Sequence, residues 1–385
     1  MHDNTHGHVH SRREFFMKAF GGVLTGASVV EASFLRAAWA RAQAPGASTN
    51  LFTIEKVADS VYAALARPQI MVNSNSAIFV NSRDVLVVDA CSKPSAAAAL
   101  IAQIRKEVTT KPVRYLVYSH FHYDHTQGAT AYKAGGAKVD IIANEATKQL
   151  MTQFSRSRLQ DSLDGVPPQI DDLQARVAKT TSAPDRERYR DLIRQLQAYQ
   201  AEMKNYTLEL PTITFDKSYT IKDSLGDVHI EFHGPAHTAG DVVTFSPAKR
   251  VVATGDVVIG FMPNMRDAYP KLWPLAINSI GQLGFDQIIC GHGPVQQGRA
   301  RMTQMRNYIE ELTERVEGGK KAGQTLAELQ KSITLRSLKS LQADGYLEYV
   351  SDNAAESLVY LGQKSLLEER LSASIDAIYN NLDRV

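Results

Sequence analysis

An α/β fold, with helices covering the faces of its sheets, is the architecture this chain predicts. Three observations carry that expectation. Short runs rich in Val, Ile and Leu alternate with helix signals at the spacing of strand–helix–strand units. With 385 residues, 44% of them hydrophobic and 22% charged, the chain is too apolar and too evenly charged for disorder, and it has room for a large core. Two Cys exclude a disulfide scaffold, and the absence of an apolar run of about 18 residues excludes a multi-pass membrane protein.

The N-terminal segment stands apart. Ser11-Arg12-Arg13-Glu14-Phe15-Phe16-Met17-Lys18 resembles the twin-arginine export motif, and a weakly apolar stretch from Ala19 to Ala40 follows it. Glu31 and Arg36 interrupt that stretch, which suits an export signal better than a membrane-spanning helix. Ala42-Gln43-Ala44 supplies a small-x-small cleavage site, so residues 1–44 are expected to be a signal peptide and the mature protein periplasmic rather than integral to a membrane. Without the leader the chain carries 38 residues of each charge sign. A neutral body has no field to gather phosphate backbones, so a small-molecule substrate is expected and nucleic acid is not.

Along the body, Ala77–Val80 and Val85–Asp89 read as strands around an Asn81-Ser82-Arg83-Asp84 turn. Ser92 is the expected helix cap, with Pro94 in the first turn and Leu100, Ile101 and Ile104 as the buried stripe. Strands follow at Val113–Ser119 and Val139–Ala143. Residues 151–206 break the pattern, with nine Lys/Arg, eight Asp/Glu, and Tyr189, Leu192, Leu196, Tyr199 and Met203 at helical spacing. This segment is expected to be a helical insertion, either a wall over a pocket or a packing hairpin. Strands resume at Thr212–Phe215, Val228–Phe232, Val242–Phe245, Arg250–Ala253 and Gln287–Cys290, and residues 301–385 form a helical extension. There Leu367, Leu371, Ile375, Ile378 and Leu382 make a one-sided stripe, expected to pack on the body, with a homodimer contact as the alternative.

The chemistry is concentrated in His120-Phe121-His122-Tyr123-Asp124-His125, directly after a strand. Three imidazoles and a carboxylate within six residues crowd together groups that an anion or a metal must reconcile. That ligand mix is the one Zn²⁺ prefers. Three further motifs follow strand-like segments: Gly234-Pro235-Ala236-His237-Thr238, Thr254-Gly255-Asp256, and Cys290-Gly291-His292-Gly293.

Together these motifs resemble the signature of the metallo-β-lactamase superfamily over roughly residues 51–295. The resemblance implies an αββα sandwich occupying residues 45–300. It implies two zinc ions per chain: one held by His120, His122 and His237, the other by Asp124, His125 and His292, with Asp256 bridging. It further implies hydrolysis by a metal-bridging hydroxide, with Asp124 as the catalytic residue that orients it and shuttles a proton.

The bond cleaved is expected to be an acyl bond: an ester, lactone or thioester. A β-lactam amide is the alternative, weakened because β-lactam-opening members often carry Cys or Ser where Asp256 stands. Iron-dependent oxidoreductases on the same scaffold form a second class. His229 and His233 are expected to be structural, Cys91 and Cys290 to be buried free thiols with a disulfide as alternative, and Phe261, Met262, Tyr269 and Trp273 to be chiefly core.

Overall fold

A computed structural model describes residues 51–67, 74–361 and 366–384. The expected leader, residues 1–44, lies outside the described residues. The first sheet runs in sequence order from β1 (Phe52–Ala58) through β2 (Val61–Ala66), β3 (Ser76–Val80), β4 (Val85–Val88), β5 (Val113–Val117) and β6 (Asp140–Asn144) to β7 (Ile213–Phe215). Its pairings are antiparallel as far as β4 and parallel from β4 onward. The second sheet contains β8 (Ser218–Ile221), β9 (Val228–Phe232), β10 (Val242–Ser246), β11 (Val251–Gly255), β12 (Gln287–Cys290) and β13 (Gln296–Gln297). Only β11 and β12 are parallel in it.

Period-two alternation explains the layering. Ala77, Phe79, Leu86, Val88, Val117 and Ile142 point from the first sheet into a core shared with Val228, Ile230, Val242, Val251, Ala253 and Ile289 of the second. Their neighbours Ile78, Val85, Val87, Leu116 and Ile141 point outward, onto α1 (Pro94–Glu107). Leu100 and Ile104 of α1 are fully buried there, each contributing roughly 2 kcal/mol. Ser92 does not cap this helix. The Pro94 ring forces the preceding residue to be extended, so Lys93 (φ −162°, ψ 156°) takes the cap position without a side-chain cap bond. β1 and β2 had no clear signal in the sequence. β1 is a sheet edge whose Glu55 and Lys56 face solvent, which breaks the apolar alternation.

Two short helices, α2 (Tyr123–Thr126) and α3 (Glu145–Leu150), follow β5 and β6. Helical structure thus begins ahead of residue 151, because the Asn144 side chain accepts the Ala146 N–H and caps α3. Residues 156–206 form a compact helical unit of their own, α4 (Arg156–Asp164), α5 (Val166–Lys179) and α6 (Ala183–Met203), with α5 and α6 paired. Ser182 caps α6, and Leu192, Leu196, Tyr199 and Met203 are its buried stripe.

On the outer face of the second sheet lie α7 (Trp273–Ile280), α8 (Ala300–Lys321), α9 (Leu326–Ser332), α10 (Lys339–Gln342), α11 (Tyr346–Leu361) and α12 (Leu366–Asn381). Val243, Phe245, Val252 and Ile288 share a core there with Leu371, Ile375, Ile378 and Leu382. The terminal stripe is therefore buried within its own chain. No helix of the described residues is long and apolar enough to cross a membrane.

Candidate metal centre

The topology sends the functional loops to one place. β4 and β5 are parallel, β11 and β12 are parallel, and β9 runs in the direction of β11 across β10. Their C-terminal ends therefore lie at one edge of each sheet. The two edges are tied together: Val242 N–H donates to the Ser119 carbonyl at 2.8 Å, and the Asn75 amide donates to the carbonyls of Cys290 (3.0 Å) and Gly293 (2.8 Å). Two glycines permit the close approach. Gly255 has a left-handed backbone (φ 51°), and a Cβ at Gly291 would strike the Asp256 carboxylate and the Gly255 backbone.

All seven residues singled out in the sequence converge at this edge. The ligand atoms of His120, His122 and His237 lie within 4.8 Å of one another, and so do those of Asp124, His125 and His292. Asp256 stands between the two groups. Its Oδ2 is 3.5 Å from His237 Nε2, and its Oδ1 is 3.4 Å from both His125 Nε2 and His292 Nε2. His122 Nδ1 faces His237 Nε2 at 3.0 Å, and His292 Nε2 is 3.2 Å from Asp124 Oδ2. Two ligands on one tetrahedral ion with bonds of about 2.0 Å would stand roughly 3.3 Å apart, so the spacing fits.

Three of the five rings, those of His120, His122 and His125, are aimed by a partner outside the ligand set. Asp89 accepts the Ser119 N–H and hydroxyl at 2.8 and 2.9 Å, and the His125 Nδ1–H at 2.7 Å. The Ser119 hydroxyl oxygen in turn accepts from His120 Nδ1 at 3.0 Å. These bonds leave the Nε2 atoms of His120 and His125 facing inward, both buried and, among the described residues, without a hydrogen-bond partner, as is Asp256 Oδ1. His122 Nε2–H donates to Asp267 Oδ2 at 2.8 Å, which turns its Nδ1 inward. Asp241 shapes the His237 turn by accepting the Thr238 N–H (2.6 Å) and hydroxyl (2.9 Å), and burial pushes its carboxyl up to about 8.

The electrostatics divide the site. Burial, helped by the charges of neighbouring histidines, keeps His120 well below the usual imidazole range and brings His237 to about 3. Both are therefore neutral, with lone pairs to donate. At the other end burial opposes charge, but Asp89, Asp124 and Asp256 outweigh it and raise His125 to about 9. Burial is likewise overcome at His292, which Asp256 and Asp124 raise well above its usual value. Asp124 is held at about 2 by His125 and His292 against burial, and His292 and His125 hold Asp256 well below the carboxylate range in the same way. Such a site favours positive charge and offers inward lone pairs. The donor set fits divalent metal ions.

The remaining candidates fall outside the ligand groups. His229 pairs with Thr220, and His233 with Ser279 and Glu231. Cys91 and Cys290 are buried free thiols. Trp273 is fully buried, with its indole N–H donating to the Val257 carbonyl at 2.9 Å, and Met262 is buried in the same core. Phe261 is only partly buried, and its ring lies 5.4 Å from that of His292. Sequence reasoning missed Asp89, Asp267 and Asn75. The one available signal was that Asp89 directly follows a strand, as the candidate ligand motifs do.

The fold and this constellation define a class. The chain belongs to the Metallo-beta-lactamase superfamily, whose family model matches residues 71–292. Among curated proteins it is similar to a linear primary-alkylsulfatase from a Pseudomonas species, at 24% identity over 235 residues. That match takes in 57% of this chain and 42% of the alkylsulfatase, so the chain spans less than half of that relative's length. Among solved structures it is similar to a metallo-beta-lactamase from Pontibacter korlensis (18% identity, TM-score 0.49, covering 67% of this chain and 99% of that one). It is also similar to the metallo-beta-lactamase FIM-1 from Pseudomonas aeruginosa in its mono-zinc form (18% identity, TM-score 0.46, covering 67% of this chain and 95% of that one).

Proposed function

We propose that the chain is a two-zinc hydrolase of ester-type bonds, acting on a small molecule. The supporting observation is Asp256, whose two oxygens face two separate triads of inward-pointing ligand atoms. His120, His122 and His237 would hold one ion, Asp124, His125 and His292 the other, and Asp256 would span them. Divalent zinc, when bound, lowers the pKa of coordinated water to about 7 and offsets developing oxyanion charge. Asp124 is a carboxylate at neutral pH, with Oδ2 turned toward His292, so Oδ1 is the atom that takes a proton from water and passes it to the leaving group.

The first reading of the bond is acyl: ester, lactone or thioester. A second, a sulfate ester, is favoured by the likeness to an alkylsulfatase. A panel of aryl ester, lactone, thioester, alkyl sulfate, cephalosporin and bis-nitrophenyl phosphate substrates is expected to show turnover among the first four. Turnover confined to the phosphodiester or the cephalosporin would overturn this reading. Metal analysis of protein purified without added metal is expected to give about two zinc ions per chain. A single iron would favour the oxidoreductase class.

We also propose export through the twin-arginine pathway to the periplasm, supported by Arg12-Arg13 and the apolar stretch behind them. Replacing both arginines by lysine is expected to keep the chain in the cytoplasm. Unchanged periplasmic recovery would refute it.

A further inference from the structure

The C-terminal helices reach the metal centre through the loop that follows Asp256. Asn353 of α11 donates to the Gly260 carbonyl at 3.0 Å, Arg370 of α12 to the Met262 carbonyl at 3.1 Å, and Asn381 to the Arg266 carbonyl at 3.0 Å. Arg370 differs from the two asparagines in what it brings. Its guanidinium lies 4.9 Å from the centre of the Phe261 ring, and that same ring is 5.4 Å from His292. It is close enough to Asp256 and Tyr123 for their charges to act on it. Tyr123, the neighbour of Asp124, is 38% exposed, so this side of the centre opens to solvent.

A cation is not needed to pin this loop, because the neutral amides of Asn353 and Asn381 already do so on either side. Among the described residues Arg370 uses one hydrogen bond to a carbonyl and makes no ion pair. A half-buried guanidinium held this way carries a desolvation cost that the charge of Asp256 opposes from a distance, with no ion pair among the described residues. Its remaining N–H groups form a planar fork matched to two oxygens of one anion.

We propose that Arg370, carried by α12 to the rim of the centre across Phe261, receives an oxyanion group of the substrate, a carboxylate or a sulfate. The C-terminal extension then supplies the recognition element and the sandwich supplies the ligands. The substrate class narrows to esters bearing a single negative charge within one guanidinium's reach of the cleaved bond. This deepens the ester-hydrolase reading and rests on it for where the substrate lies.

The test is a binding measurement that needs no turnover. The zinc-loaded full chain, Arg370→Gln, Arg370→Lys, Asn353→Ala and Asn381→Ala are titrated calorimetrically with hexyl sulfate, hexanoate and, as the neutral control, hexan-1-ol. The expected result is tighter binding of at least one anion than of the alcohol, weakened tenfold or more in Arg370→Gln. The two asparagine variants should stay within about threefold, and Arg370→Lys should fall between them and Arg370→Gln. An Arg370→Gln protein that binds both anions like the parent would overturn the proposal, as would equal losses in the asparagine variants or no preference for either anion. Sulfate and hexanoate affinities distinguish the two oxyanions. Should Arg370→Gln fail to fold, phenylglyoxal labelling of the unaltered chain gives the answer by peptide mass spectrometry. Hexyl sulfate should slow labelling of Arg370 and hexan-1-ol should not, and equal rates would refute the assignment. Failure of the ester-hydrolase reading registers separately, as absent turnover in the substrate panel.

Discussion

Replacing Asp124 by Asn is expected to lower kcat by a factor of about 10³, the scale of a lost general base, on whichever substrate the panel identifies. Asn keeps the shape of the side chain but has no carboxylate oxygen to take a proton. The fold should survive. The N–H groups that organise the loop go to Asp89 rather than to Asp124. Asp124 faces His125 and His292, which favour its charge, so the metal-free variant should melt cooperatively but a few degrees below the parent. Residual kcat within tenfold of the parent, at equal zinc content, would remove Asp124 from the proton path and leave it only as a ligand.

Chelation should be felt by the whole fold. His120 Nε2, His125 Nε2 and Asp256 Oδ1 are buried and have no hydrogen-bond partner among the described residues. A buried polar atom left unsatisfied costs roughly 1–3 kcal/mol, and a metal ion would satisfy all three at once. Binding at a concentration about a thousandfold above Kd adds about 4 kcal/mol to stability. For a domain of this size that corresponds to roughly 10 °C in Tm. Scanning calorimetry with and without a chelator checks this, and readdition of zinc should restore the melt. A melt that chelation does not move, in protein shown to lose its zinc, would mean the site is built without help from the ion.

The seven candidate ligands were legible in the sequence because four of them fall within His120–His125 and the other three each follow a strand-like segment. Local spacing records such things faithfully. A strand that ends at a sheet edge presents what comes next, and a period of two decides which side chains face the core. The strands around Ile78, Leu86 and Ile230 were visible for that reason. The first two strands were not, since the solvent-facing charges of β1 leave no apolar alternation to read. Ser92 is a cap by residue type alone, and the constraint that Pro94 places on Lys93 moves the cap position one residue on.

By itself the sequence determined the class of fold and which seven candidate groups to look for, since both depend on patterns a few residues long. Only the tertiary structure decided what aims those groups and which helix reaches the loop beside them. Asp89 meets His125 across 36 positions, Asp267 meets His122 across 145, and Arg370 reaches the Met262 carbonyl across 108. A carboxylate or a guanidinium takes its role from the charge and hydrogen-bond partners it faces. Over such separations that facing is fixed by how two sheets and their helices pack, and no local spacing encodes it.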